Sequence, residues 1–75
     1  MIEYKINVMD ELKKIGYSTT RLQHEKILPS QTCQNIKSKK PINTETLNKI
    51  CLLLRKQPGD ILKVVPTDEE KLKYF

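Results

Sequence analysis

Leu47, Ile50, Cys51 and Leu54 recur at i, i+3, i+4 and i+7, the spacing that lines four apolar side chains along one stripe of an α-helix. Asn43 stands just before the run as a good N-cap, so the pattern predicts a helix from Thr44 to about Leu54. A helix with a single apolar stripe has to bury it, and in a chain of 75 residues the neighbouring segments must supply the cover. The result is one small domain, whose core leaves only a few kcal/mol of net stability.

The rest of the chain reads as shorter helices cut by strong breakers. Val8, Leu12 and Ile15, with Met9 beside them, repeat the helical spacing, and Gly16 follows where a left-handed C-terminal residue is wanted. Ser18 can cap a second helix from Thr19 to about Lys26, with Leu22 and the apolar stem of Glu25 inward, before Ile27-Leu28-Pro29 stops it. Pro29 suits a first helical turn, so a third helix runs from there to about Lys37 with Cys33 and Ile36 on its inner edge. Gln57-Pro58-Gly59-Asp60 reads as a turn into a fifth helix carrying Ile61, Leu62, Val64 and Val65, ended by Pro66. Thr67 and Glu70 match a capping box, which allows the tail a last helical turn or two, although fraying is the default there. No repeat, low-complexity tract or strand pair is visible. The expected fold is therefore all-α: a compact five-helix domain over residues 1–66 and a short tail over 67–75.

The formal net charge of +5 favours a polyanionic partner: nucleic acid, an anionic membrane surface or an acidic protein. Its placement is informative. Arg21, Lys26, Lys37, Lys39, Lys40, Lys49, Arg55 and Lys56 face only Glu25 and Glu45 in the central block, whereas both flanks are close to neutral. Cys33 and Cys51 form no CxxC pair and have only His24 for company, so they read as reduced, buried small hydrophobes rather than zinc ligands. His24 itself reads as a surface residue without a role. No stretch approaches the roughly 18 apolar residues of a membrane span, and the first residues do not form a basic-then-apolar signal segment, so the expected location is the cytoplasm. No activated nucleophile, carboxylate pair or metal cluster is in sight, and so short a chain cannot enclose a substrate pocket. Neither enzyme activity nor any cofactor, metal or small-molecule ligand is expected.

Two short helices joined by a tight turn, then a basic loop and a longer amphipathic helix, is the order that places a second helix in a DNA major groove. The stretch YSTTRLQHEKILPSQTCQNIKSKK, followed by TLNKIC and QPGDIL, resembles the Cro/cI-type (XRE-family) helix-turn-helix regulators of bacteria, phages and mobile elements, over residues 6–65. The resemblance implies a lambda-repressor-like fold in which residues 19–26 form the positioning helix and 29–37 the recognition helix, with Leu22, Cys33 and Ile36 at core positions. The chain departs from the family pattern at three places. Gln23 replaces a small residue where the two helices touch, the usual turn glycine is absent with Ile27 near its place, and Lys39 stands where a glycine commonly ends the recognition helix. Either Lys39 adopts a left-handed conformation at a cost of about 1 kcal/mol or the loop takes another form.

On a recognition helix inserted end-on, Ser30, Gln31, Thr32 and Asn35 are the expected base contacts. The amides of Gln31 and Asn35 can pair bidentately with adenine, each worth about 1–3 kcal/mol of discrimination; the alternative is that this is merely a solvated helix face. Thr19, Thr20 and Arg21 are expected on phosphates at the start of the second helix, and the family's usual glutamine contact maps onto Thr19. Ser38, Lys39, Lys40 and Asn43 are expected on phosphates beyond the recognition helix, with Asn43 equally readable as a plain N-cap. Lys49, Arg55 and Lys56 read as the solvated side and end of the fourth helix.

One recognition helix reads few base pairs, so the expected partner is double-stranded DNA bound by a homodimer, with half-sites about 34–36 Å apart. Ile61, Val64, Val65, Leu72, Tyr74 and Phe75 of the fifth helix and tail are the candidate dimer surface, or else cover for the monomer's own core. A compact regulator of this kind is expected to be a repressor. The competing reading is a protein-binding module, such as an antitoxin, that works through a partner.

Overall fold

The computed structural model describes residues 1–75, and its helices begin where the capping residues stand. Asn7 caps α1 (Val8–Lys14), Ser18 caps α2 (Thr19–His24) and Asn43 caps α4 (Thr44–Leu54), each side chain accepting from the backbone N–H three residues on. Between them lies α3 (Ser30–Lys37), for which Pro29 is the N-cap residue rather than part of the first turn. After α4 come α5 (Pro58–Ile61) and, beyond Pro66, α6 (Asp68–Tyr74), the latter closed by the expected Thr67–Glu70 capping box.

The helix ends share one device. At α1, the N–H groups of Gly16 and Tyr17 reach back to the carbonyls of Lys13 and Leu12; at α2, those of Lys26 and Ile27 reach Gln23 and Leu22; at α3, those of Lys39 and Lys40 reach Ile36 and Asn35. This pair of hydrogen bonds is the Schellman closure, and it requires a left-handed residue after the helix. Gly16 supplies it at φ 91°, but Lys26 (56°), Lys39 (60°) and, after α4, Arg55 (55°) adopt it with side chains attached. The left-handed residue of the turn between α2 and α3 is therefore Lys26, not Ile27, and Lys39 takes the strained alternative.

Eight residues are buried: Val8, Leu12, Leu22, Leu28, Cys33, Ile36, Ile50 and Ile61. They form one cluster, around which Leu47, Cys51 and Leu54 are half-buried. Packing of α1 against both α3 and α4, and of α4 against α5, builds the all-α bundle that the pattern implied. Two sequence expectations at the periphery do not hold. Ile15, the residue ending α1, is 48% exposed rather than inward, and the Glu25 stem lies on the surface.

A larger correction concerns the segment after Gln57. The fifth helix ends at Ile61, and Leu62–Val64 turn extended as strand β2, pairing antiparallel with strand β1 (Ile2–Tyr4) in the register Ile2 to Val64, Glu3 to Lys63 and Tyr4 to Leu62. A two-stranded ribbon thus joins the N-terminal segment to the segment after α5 in a bundle expected to have no strands. Val64, Val65 and Pro66 disfavour further helix, the Glu3–Lys63 pair sets opposite charges across the ladder, and the Lys5 N–H donates to the Ile61 carbonyl at 2.8 Å. Ile61 itself is wholly buried and belongs to the core.

Candidate nucleic-acid interface

Cys33 and Ile36 anchor α3 to the core, and this fixes which of its residues face outward. Successive helical residues turn by about 100°, so the side opposite Cys33 and Ile36 carries Gln31, Gln34 and Asn35, with Ser30 at its leading edge. Ser30, Gln31 and Gln34 are exposed, while Thr32 and Asn35 are half-buried on the flanks. Gln34 was not singled out from the sequence, although helical periodicity from the two core residues was enough to place it with Gln31.

Gln31 and Asn35 are joined: Gln31 Nε2 donates to Asn35 Oδ1 at 3.0 Å. The bond leaves Gln31 Oε1 and its second N–H free, the pair a glutamine needs for adenine N6 and N7. It takes up one lone pair of the Asn35 carbonyl oxygen, and the Asn35 Nδ2 donors have no partner in the protein.

Beyond α3 the chain runs from Ser38 to Asn43 without regular structure, with Ser38, Lys39, Lys40 and Asn43 all exposed. The three ion pairs of the molecule are Met1–Glu70, Lys14–Glu11 and Arg21–Glu25, so the ammonium groups of Lys37, Lys39 and Lys40 face solvent without a carboxylate partner. Asn43 Oδ1 accepts from the Thr46 N–H at 2.7 Å, making it the N-cap of α4, while its Nδ2 donates to no protein group.

At the other end of the motif, Thr19 is half-buried and Thr20 exposed at the start of α2. Arg21 is otherwise engaged. Its Nε donates to Glu25 Oε2 at 2.7 Å and its Nη1 to the Gly16 carbonyl at 3.0 Å, and the guanidinium stacks 4.4 Å from the centre of the Tyr17 ring. The Gly16 and Tyr17 contacts tie α2 to the end of α1, while Glu25 holds the group along α2 itself. Lys49, which the sequence placed on the solvated side of α4, is half-buried and donates to the Ile27 carbonyl at 3.3 Å, bracing the turn between α2 and α3. Burial pushes the Cys33 thiol above its ordinary pKa, the Lys37 ammonium opposing this in part.

A short helix, a tight turn closed at Lys26, and a second helix whose polar face stands clear beside unpaired lysines define a helix-turn-helix DNA-binding domain. The family model for the Cro/C1-type HTH DNA-binding domain matches residues 5–67, and the chain belongs to that family. No curated protein and no solved structure matches it. No helix is long and apolar enough to cross a membrane.

Proposed function

We propose that this protein is a sequence-specific transcription regulator of a bacterium or phage, a repressor that acts in the cytoplasm by occupying its DNA site as a homodimer. The observation that carries the reading is the outward face of α3, where the hydrogen-bonded Gln31 and Asn35 stand beside Ser30, with Thr32 half-buried on the flank, and their side chains have no partner elsewhere in the chain. Gln31 reads a base edge bidentately, and Asn35 both orients it and offers its own donors to the groove. Thr19 and Thr20 meet the backbone on one side, and Ser38, Lys39, Lys40 and Asn43 on the other, fixing register without reading sequence. Arg21 contributes its charge to the same side, while its head group chiefly holds α2 on α1.

The dimer contact falls to the exposed apolar residues of β2 and α6 and to Phe75 just beyond α6. Val64 is 69% exposed, Leu72 86%, Tyr74 71% and Phe75 86%, whereas Ile61 belongs to the monomer's core. The same exposure also suits a different protein, which is why the antitoxin-like module stays as the second reading.

The test compares variants on duplexes selected from a random pool. Gln31→Ala should weaken binding and relax preference at one base position per half-site. Lys40→Ala should weaken all sequences alike and lower the slope of log affinity against log salt by about one unit. Unchanged base preference in a folded Gln31→Ala protein would refute this reading of α3.

A further inference from the structure

The β-ribbon reaches the proposed DNA face at one point. Tyr4, the last residue of β1, is half-buried against the segment after α3, and its Oη donates to the Lys40 carbonyl at 2.7 Å. It lines a cleft of about 70 Å³ together with Ile2, Lys39, Pro41, Ile42 and Leu62, which sets the side chain beside the loop that its hydroxyl bonds. No other group of the protein donates to that carbonyl. On the other side of the same residue, the Lys40 N–H donates to the Asn35 carbonyl at 2.8 Å. The Lys40 backbone is thus held at its N–H by α3 and at its carbonyl by the ribbon. Tyr4 is in turn held by its pairing with Leu62.

We propose that Tyr4 is a positioning residue for DNA binding: its hydroxyl fixes the Lys39–Lys40 backbone so that both ammonium groups meet phosphates without first being ordered. The inference rests on the reading of that loop as a phosphate contact. Pro41, next in the chain, has no N–H with which to anchor itself, so between the closure of α3 and the Asn43 cap the Tyr4 bond is the one hydrogen bond that holds the backbone, beside the packing of Ile42 on the core. Ordering such a segment on binding costs affinity, and a pre-set loop avoids that cost. A phenol keeps its donor proton at neutral pH, and burial raises the Tyr4 pKa further in the same direction.

Tyr4→Phe removes the hydroxyl and keeps the ring. Affinities of the full chain for a selected duplex and for an unrelated duplex are measured over a range of salt, together with thermal unfolding, for four proteins. These are the wild type, Tyr4→Phe, Lys39→Ala with Lys40→Ala, and the triple variant. The proposal predicts that Tyr4→Phe loses about threefold to tenfold on both duplexes, with base preference intact, the scale of one hydrogen bond. In the background without the two lysine side chains it should lose nothing further, because the hydroxyl acts through them. An equal loss in both backgrounds marks a purely structural role and overturns the proposal. If the double lysine variant binds weakly but Tyr4→Phe binds at wild-type strength, the Tyr4 proposal alone falls. If the double lysine variant binds as the wild type does, the phosphate reading of the loop falls, and the Tyr4 proposal with it.

Discussion

Lys26 closes the turn between α2 and α3 at φ 56° with a Cβ attached, which makes it the sharpest place to test how the turn is built. A side chain in the left-handed region costs roughly 1–2 kcal/mol, through crowding of Cβ against the following carbonyl. Glycine removes that cost but adds back about 0.4–1 kcal/mol through the freedom it gives the unfolded chain. Little else changes in Lys26→Gly. The lysine is exposed and makes no ion pair or side-chain hydrogen bond, and its charge near the C-terminus of α2 is worth only about 0.3 kcal/mol at such exposure. The balance is a net stabilisation of about 0.5 kcal/mol, and in a domain of this size a gain of 1 kcal/mol raises Tm by about 4–8 °C, so a rise of about 2–4 °C is expected. Lys26→Ala is the control, because it removes the same charge and keeps the Cβ. Thermal and urea unfolding of the three proteins should rank Lys26→Gly above wild type and Lys26→Ala at or slightly below it. Equal stability of the two variants would show that the turn does not hold residue 26 left-handed.

Gly16→Ala should act in the opposite sense. Its φ of 91° is unfavourable for any side chain, and the new Cβ would lie 3.3 Å from Arg21 Nη1, so a loss of about 1–2 kcal/mol is expected; unchanged Tm would contradict the geometry at the end of α1. The two free thiols should react unequally with an alkylating reagent. Cys33 is buried and its pKa raised, so below that pKa it holds little reactive thiolate, whereas half-buried Cys51 should be modified first. Equal rates in the folded protein would contradict the packing of α3, and both thiols should react rapidly in denaturant.

The sequence carried the bundle because its strongest signals are local. Caps at Ser18, Asn43 and Thr67 and the apolar spacing of α4 act within a turn or two of their own positions, and the helices start where those signals stand. The ribbon was not legible for the opposite reason. Three-residue strands are too short to show alternation, and Ile2 and Val64 meet only because the whole bundle lies between them. Leu28 was read only as part of a stop signal before Pro29, yet it is fully buried, since the tight turn carries its side chain back into the core. In the site, spacing alone placed Gln31 and Asn35 on one face. It could not disclose that they bond to each other, that Arg21 turns back on Gly16, or that Tyr4 reaches Lys40 from the far end of the chain.

If the outward face of α3 reads a duplex, selection of bound sequences from a random double-stranded DNA pool will reveal a preferred site. At about 0.15 M salt much of the non-specific charge attraction is screened. An inverted repeat should be enriched, with half-sites centred about one helical turn apart, near 34–36 Å. A folded protein that enriches no motif while binding DNA weakly and without preference would contradict that reading of α3, leaving the unpaired lysines a general polyanion surface and favouring a protein partner instead.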